Sequence, residues 1–180
     1  MARFNYNSKC AHPKKCIKLM ESFIKEAMTL TDEEDNPYRV AVAKGKCFQT
    51  FPYNSYNCVV IHVNYRQFTE NKVGTTEFNR NIYLRSSTLQ GFSNLTLALL
   101  HELGHNETVD EIPDDYDREK AERKIRKYCG NDIRMLNMMY FSLPDEYLAT
   151  QWAIDWLSDE ENRKKAKRFE KQFFKMWKGE

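Results

Sequence analysis

The sequence predicts an α+β fold, in which one helix and a small sheet precede a buried helix and further helices at the C-terminus. Residues 13–30 place apolar side chains at helical spacing, and Pro13 suits the first turn of a helix. Runs rich in β-branched and aromatic residues follow at 38–43, 47–51 and 58–64. From Ser93 onward nearly every segment has a helical pattern, so the helices are expected to dominate the second half.

Turn and cap residues set the expected boundaries of the other elements. A weaker run at 81–85 predicts a fourth strand, and Ser93 is a good N-cap for a helix through about residue 107. Residues 110–117 are acidic and predict a loop. Later helices are expected at about 117–129, 144–157 and 159–177. The apolar segment 131–141 has no clear period and receives no assignment.

Length and charge limit the classes of protein that the chain can represent. With 180 residues it fits a single domain over 1–180, with a flexible N-terminus at 1–12 and a charged C-terminal helix at 158–180. Lys and Arg number 28 against 26 Asp and Glu, so no strong basic field indicates a nucleic-acid partner. The longest apolar run, 95–100, is too short to cross a bilayer, so no membrane partner is expected.

The cysteines and the N-terminus both indicate the cytoplasm. The first residues are polar and are followed by Lys-rich sequence, which is unlike a signal peptide. The five cysteines are odd in number and scattered along the chain. They are therefore expected to be free thiols in a reducing compartment.

The segment His101-Glu-Leu-Gly-His105 carries the clearest chemical signal. It matches H-E-x-x-H and falls where the pattern independently predicts a helix. On a helix the two imidazoles are one turn apart and can share a metal ion. Glu102 lies about 100° around the helix, where its carboxylate can reach a metal-bound water without being a ligand. The alternative is a chance match, with both histidines hydrogen-bonded in the core.

The rest of this helix favours the metal interpretation. Its apolar residues cover most of the circumference, which is typical of a buried helix. Burial of two imidazoles and a carboxylate costs free energy unless each has a partner, and a zinc ion would provide one. Gly104 costs about 1 kcal/mol in helix propensity. We therefore expect another element to approach the helix closely at that position.

A catalytic zinc site needs a third protein ligand, and here it is expected to be a carboxylate. His12 and His62 lie far upstream of the motif. Glu146 is the strongest candidate, because it shares a helix face with Ala149 and Ala153, whose small side chains permit close packing. Asp110 and Glu111 are the second candidates. The alternative is that Glu146 has only a structural role, as an acid that the helix dipole stabilises at a helix N-terminus.

Two motifs together resemble the ImmA/IrrE-type metallopeptidases, which are zinc-dependent proteins common in phages and mobile elements. The motifs are His101-Glu-Leu-Gly-His105 and Glu146-x-x-Ala149-x-x-Trp152-Ala153-x-x-Trp156-Leu157. The resemblance implies a zincin-like fold and a location in the host cytoplasm if the protein is phage-encoded. It also implies zinc held by His101, His105 and Glu146, with Glu102 as the catalytic glutamate. Thr150 stands where the family usually has Asn or Asp.

The preferred hypothesis is a zinc-dependent peptidase that acts on a protein or peptide substrate. Zinc would lower the pKa of its bound water, and Glu102 would act as general base. Tyr140 and Tyr147 are candidate donors to an oxyanion, and the predicted strand at 81–85 is a candidate edge for substrate pairing. The alternative hypothesis is a non-catalytic, zinc-stabilised phage module with a structural or regulatory role.

The C-terminal helix has an aromatic stripe at helical spacing. Its members are Ala166, Phe169, Phe173 and Trp177. The simpler expectation is that this stripe packs on the body of the domain and leaves the charged face in solvent. The alternative is a docking helix for a protein partner.

Overall fold

A computed structural model describes residues 10–30, 38–43, 50–53, 58–64 and 87–180 of the chain. The described residues form six α-helices: α1 (Pro13–Ala27), α2 (Asn94–Glu107), α3 (Arg118–Cys129), α4 (Ile133–Tyr140), α5 (Pro144–Ser158) and α6 (Glu160–Lys178). None of these helices has both the length and the apolar character that crossing a membrane requires.

Three short strands lie between α1 and α2: β1 (Tyr38–Ala43), β2 (Thr50–Tyr53) and β3 (Cys58–Asn64). They pair in the order β1-β3-β2, with β1 parallel and β2 antiparallel to β3. The strands predicted at 38–43 and 58–64 are confirmed. The strand predicted at 47–51 is observed at 50–53, and the predicted strand at 81–85 lies outside the described residues.

The predicted α+β, zincin-like fold class is wrong, because the described residues are mostly helical. The prediction made a small sheet one of the two defining parts of the fold. The strands are only four to seven residues long, whereas helices occupy most of the chain from 94 to 178. The segment at 133–140, which received no assignment from its sequence, adds a further helix. The paired strands are therefore a minor part of a helical protein.

The predicted helix boundaries follow the local capping chemistry. Ser93 caps α2 by accepting a hydrogen bond from the backbone N–H of Thr96, and Asp117 caps α3 in the same way. Gly130 ends α3 with a φ of 55°, a left-handed value that glycine tolerates better than other residues. Pro144 occupies the first turn of α5, where its missing N–H costs nothing. The assignments of α2, α3, α5 and α6 are confirmed to within a residue or two.

The main hydrophobic core joins α1, α2, α5 and α6 to the strands. The predicted aromatic stripe of α6 is part of this core: Phe169 and Phe173 are buried, and Phe169 stacks on Phe23 of α1 with ring centroids 4.3 Å apart. The packing of the stripe on the body is therefore confirmed. A protein partner of α6 would have to contact its other, charged face.

A second, smaller core lies between α3 and α4. Ile125, Cys129 and Leu143 are its buried members, with Leu136 and Met139 packed against them. We call residues 118–140 the α3–α4 hairpin. This small core is separate from the main core, and it includes Leu143, the residue that precedes α5, so the hairpin packs beside the beginning of that helix.

Glu170 of α6 holds the N-terminus of α2 in place. Its carboxylate is buried, and Oε1 accepts hydrogen bonds from the backbone N–H of Ser93 and from Thr96 Oγ1, the latter at 2.8 Å. Negative charge at a helix N-terminus is stabilised by the backbone dipoles. The last helix thus fixes the beginning of the helix that carries the H-E-x-x-H motif.

Helices α2 and α5 pack against each other more extensively than any other pair of helices in the described part of the chain. Their closest approach is at Gly104. A Cβ atom at this position would lie 2.8 Å from the Cα of Ala149 and closer still to its carbonyl oxygen. The expected close approach at Gly104 is confirmed, and the approaching residue is one of the small residues that the sequence singled out on α5.

Gly104→Ala should therefore destabilise the protein, although alanine is the better helix former. The gain in helix propensity is about 1 kcal/mol. The added methyl group would meet backbone atoms that cannot move without shifting α5, and such overpacking typically costs about 1–3 kcal/mol. We expect the free energy of unfolding, measured with urea in the presence of a chelator, to fall.

Glu107→Ala, at the exposed end of the same helix, provides the control and should change the free energy of unfolding by less than about 0.5 kcal/mol. A Gly104→Ala protein as stable as wild type would contradict the close packing of α2 on α5.

Candidate metal centre

Three side chains of α2 form a candidate metal-binding group. The ligand atoms of His101, Glu102 and His105 all lie within 4.8 Å of one another. His101 and Glu102 are buried, and the side chain of His105 is 17% exposed. The two imidazole rings are one turn apart, with centroids separated by 4.7 Å. The helix thus presents both rings to the same space, as the motif predicts.

Glu146, in the first turn of α5, faces both histidines. Its Oε2 atom lies 3.0 Å from His101 Nε2 and 3.8 Å from His105 Nε2. Two ligand atoms of a tetrahedral zinc ion are about 3.4 Å apart, because bonds of roughly 2.1 Å meet near the tetrahedral angle. The two separations from Oε2 bracket this value, so Glu146 is placed to share an ion with the histidines.

Thr150, one turn beyond Glu146 on α5, contacts the far side of the His101 ring. Its buried Oγ1 lies 3.2 Å from His101 Nδ1. Nε2 of the same ring is hydrogen-bonded to Glu146 Oε2 at 3.0 Å. If a metal ion took the place of that proton, a hydrogen bond from Nδ1–H to Thr150 would keep the ring in the same orientation. Partners of this kind orient histidine ligands in metal sites.

Burial and neighbouring groups shift the pKa values of two residues of this cluster. Burial, together with the neighbouring His101, lowers the pKa of His105 to about 4, so its imidazole is neutral near pH 7. Burial alone would raise the pKa of Glu146. Hydrogen bonds from His101 and Arg118 oppose that effect and contribute to a pKa of about 2, so this carboxylate is ionised near pH 7. A neutral imidazole and an ionised carboxylate are the forms that bind metal ions.

Arg118, at the start of α3, is a site residue that the sequence reasoning missed. Its Nη2 donates to Glu146 Oε1 at 2.7 Å, and its Nη1 forms an ion pair with Asp145. Its Nε donates to Glu122 at 3.0 Å. A signal was present in the sequence: Asp145 and Glu146 are adjacent acids in the first turn of a helix with a buried face. If both are buried they require a cation.

The two candidate oxyanion donors occupy different environments. Tyr140, at the end of α4, has its hydroxyl 2.5 Å from Arg118 Nη2, and burial raises the pKa of this phenol above its usual value. Its hydroxyl therefore stays protonated, beside the Glu146 carboxylate. Tyr147 is 57% exposed on α5. The structure thus brings Tyr140 to the cluster and leaves Tyr147 at the surface, and the role of either in catalysis stays a prediction.

Asp110 and Glu111, the second candidates for the third ligand, lie on a single 3₁₀ turn after α2 (Val109–Glu111) and are exposed. Glu146 is instead buried, and its Oε2 lies within 4 Å of an Nε2 atom of each histidine. His12 is exposed before α1, and the side chain of His62 lies outside the described residues. The geometry therefore favours Glu146 over both acids.

The chain matches no protein-family model, no curated protein and no solved structure. The fold and the site together define a mostly helical protein with a buried group that could hold a metal ion. The resemblance to the ImmA/IrrE-type metallopeptidases therefore depends on the two motifs, and it stays a prediction.

Proposed function

We propose that the protein is a zinc-dependent peptidase of the ImmA/IrrE type, which acts on a protein or peptide substrate in the cytoplasm of its host. The observation that carries the proposal is the convergence of His101 Nε2, His105 Nε2 and Glu146 Oε2 beside the carboxylate of Glu102. Two imidazoles and one carboxylate are a common ligand set of catalytic zinc. This set leaves the fourth position for water.

The role of each residue follows from its position. Zinc, when bound, lowers the pKa of a coordinated water towards neutrality and polarises the substrate carbonyl. Glu102 belongs to the same group on α2, so its carboxylate can accept a proton from the attacking water and deliver it to the leaving amine. Thr150 and Arg118 hold His101 and Glu146 respectively.

A non-catalytic, zinc-stabilised phage module with a structural or regulatory role is the other hypothesis. A structural zinc site is closed by four protein ligands. Glu102 would then be the fourth ligand instead of the general base. A glutamate at the second position of H-E-x-x-H, on a helix that also buries two histidines, favours the enzyme.

We expect the purified protein to contain close to one zinc ion per chain, and we expect removal of the ion to destabilise it. The histidines and Glu146 lose their shared partner when the metal leaves, and metal-binding free energy contributes directly to folding. Metal analysis by plasma mass spectrometry and thermal melting with and without a chelator measure both effects. An absence of zinc, with melting unchanged by chelator and by added zinc, would exclude the site.

Hydrolysis is tested with the zinc-loaded protein and a mixture of peptides of diverse sequence, with products identified by mass spectrometry. We expect defined cleavage sites that disappear with chelator and return with added zinc. Tight zinc binding with no cleavage in this mixture, or in a folded-protein mixture, would favour the non-catalytic module.

A further inference from the structure

We propose that Arg118 is a positioning residue of the metal centre, which holds one carboxylate oxygen of Glu146 so that the other faces the two histidines. The proposal rests on the metal site of the proposed function and adds a residue from the α3–α4 hairpin to it. Arg118 would act through Glu146, whose Oε1 accepts its hydrogen bond.

The two oxygens of Glu146 have separate partners. Oε1 accepts from Arg118 Nη2 at 2.7 Å, and Oε2 lies 3.0 and 3.8 Å from the Nε2 atoms of His101 and His105. A free carboxylate on a flexible glutamate side chain can rotate and present either oxygen or both. With Oε1 held, Oε2 is the oxygen available to an ion between the histidines.

Arg118 is held in turn by other groups. Its Nε donates to Glu122 at 3.0 Å, its Nη1 pairs with Asp145, and its Nη2 also contacts the hydroxyl of Tyr140 at 2.5 Å. A planar guanidinium with five N–H donors can serve several acceptors in one fixed geometry. A lysine ammonium is a point charge on a flexible stem and cannot reproduce this arrangement.

A positive charge near a divalent cation repels it. The other charges around Arg118 therefore determine whether this residue strengthens or weakens zinc binding. Asp145 and Glu122 both form ion pairs with the guanidinium, and they offset its charge independently of Glu146. Loss of Arg118 would also leave the buried carboxylates of Asp145 and Glu146 with fewer donors. We therefore expect the orienting effect to exceed the repulsion.

The first experiment measures zinc affinity by competition with a chromophoric chelator. Arg118→Gln should weaken zinc binding by about 10–100-fold, the range typical of residues that orient metal ligands. Arg118→Lys should weaken it as well, since it restores the charge without the geometry. Arg123→Gln is the matched control, because Arg123 lies on the same helix and pairs only with exposed Glu119 among the ion pairs described.

The outcomes separate the inference from the proposed function. A wild-type protein that binds no zinc refutes the metal site itself. A wild-type protein that binds zinc, with an Arg118→Gln variant of equal or higher affinity, refutes only the positioning role. Full affinity in Arg118→Lys would show that charge alone suffices, and it would also overturn the proposal.

A second experiment distinguishes positioning from general support of the α3–α4 hairpin. Glu146→Ala removes the side chain through which Arg118 is proposed to act, so adding Arg118→Gln to this variant should change zinc affinity by less than about twofold. Coupling of this kind between contacting residues is measured by a double-mutant cycle. If Arg118→Gln weakens zinc binding as much in the Glu146→Ala background as in wild type, Arg118 acts by another route. Circular dichroism of the metal-free variants checks that the helices are retained.

Discussion

Glu102→Gln should keep zinc and the fold and should lose about 10²–10⁴-fold in kcat/KM on whichever peptide substrate is found, the usual contribution of a general base. Glutamine has nearly the same shape as glutamate but cannot accept the proton of the attacking water. If His101, His105 and Glu146 are the ligands, as proposed, the substitution removes none of them. Zinc content by metal analysis and kcat/KM by mass-spectrometric peptide assay measure the two effects separately.

His105→Ala is the comparison variant, since it removes a proposed ligand and should lose both zinc and activity. Equal loss of zinc in Glu102→Gln would make Glu102 a ligand, and the non-catalytic module would then be the better hypothesis. Unchanged activity in Glu102→Gln would require a different base. Reduced activity with full zinc content is the only result that agrees with the proposed mechanism.

The sequence predicted the helix that carries the motif because every relevant signal on it is local. Ser93 is a cap residue, the leucines give burial, and His101 and His105 are spaced by one turn. Gly104 lies inside a helix although glycine is a poor helix former. The backbone of Ala149 approaches so closely that a larger side chain would not fit at this position. The small residues Ala149 and Ala153 indicated that α5 could approach another helix closely. Local patterns were therefore sufficient to predict which two helices meet at the site.

The fold class could not be judged from the same patterns. Short runs of β-branched residues predict strands well, as at 38–43 and 58–64, but they do not show how much of the molecule the sheet occupies. The apolar residues of α4 surround most of the helix, including exposed Ile133 and Met138, so no period marked it. The predicted fold class was wrong because helix α4 received no assignment and because the small sheet was given too much weight.

The partners of several charged residues were not predicted either, because these partners are far away in the sequence. Arg118 and Glu146 are 28 positions apart, and Glu170 and Thr96 are 74 positions apart. Arg118 and Glu170 lie in highly charged helices that look solvated, and only the tertiary packing shows that Glu170 is buried. Local periodicity contains no information on such pairs. The adjacent acids Asp145 and Glu146 indicated that a cation was needed but not which one.

Glu146→Ala should weaken zinc binding by more than the roughly 10–100-fold expected of an orienting residue, because it removes a ligand itself. Glu111→Ala should leave zinc affinity unchanged. Glu146 is buried on a rigid helix with one oxygen facing both histidines, whereas Glu111 is exposed on the turn after α2. Competition with a chromophoric chelator measures both variants under the same conditions.

Asp110→Ala is a second control from the same exposed turn. Glu146→Asp tests whether the length of the side chain at 146 matters for zinc binding. An aspartate at 146 retains the charge but is one methylene shorter, so it should bind zinc more weakly than wild type. If charge near the histidines were all that mattered, Glu146→Asp would bind zinc as tightly as wild type. The reverse ranking, with Glu111→Ala or Asp110→Ala losing zinc, would require the chain after α2 to turn back towards the ion. Thr108, which ends α2 at a φ of −109°, does not make that reversal in this structure.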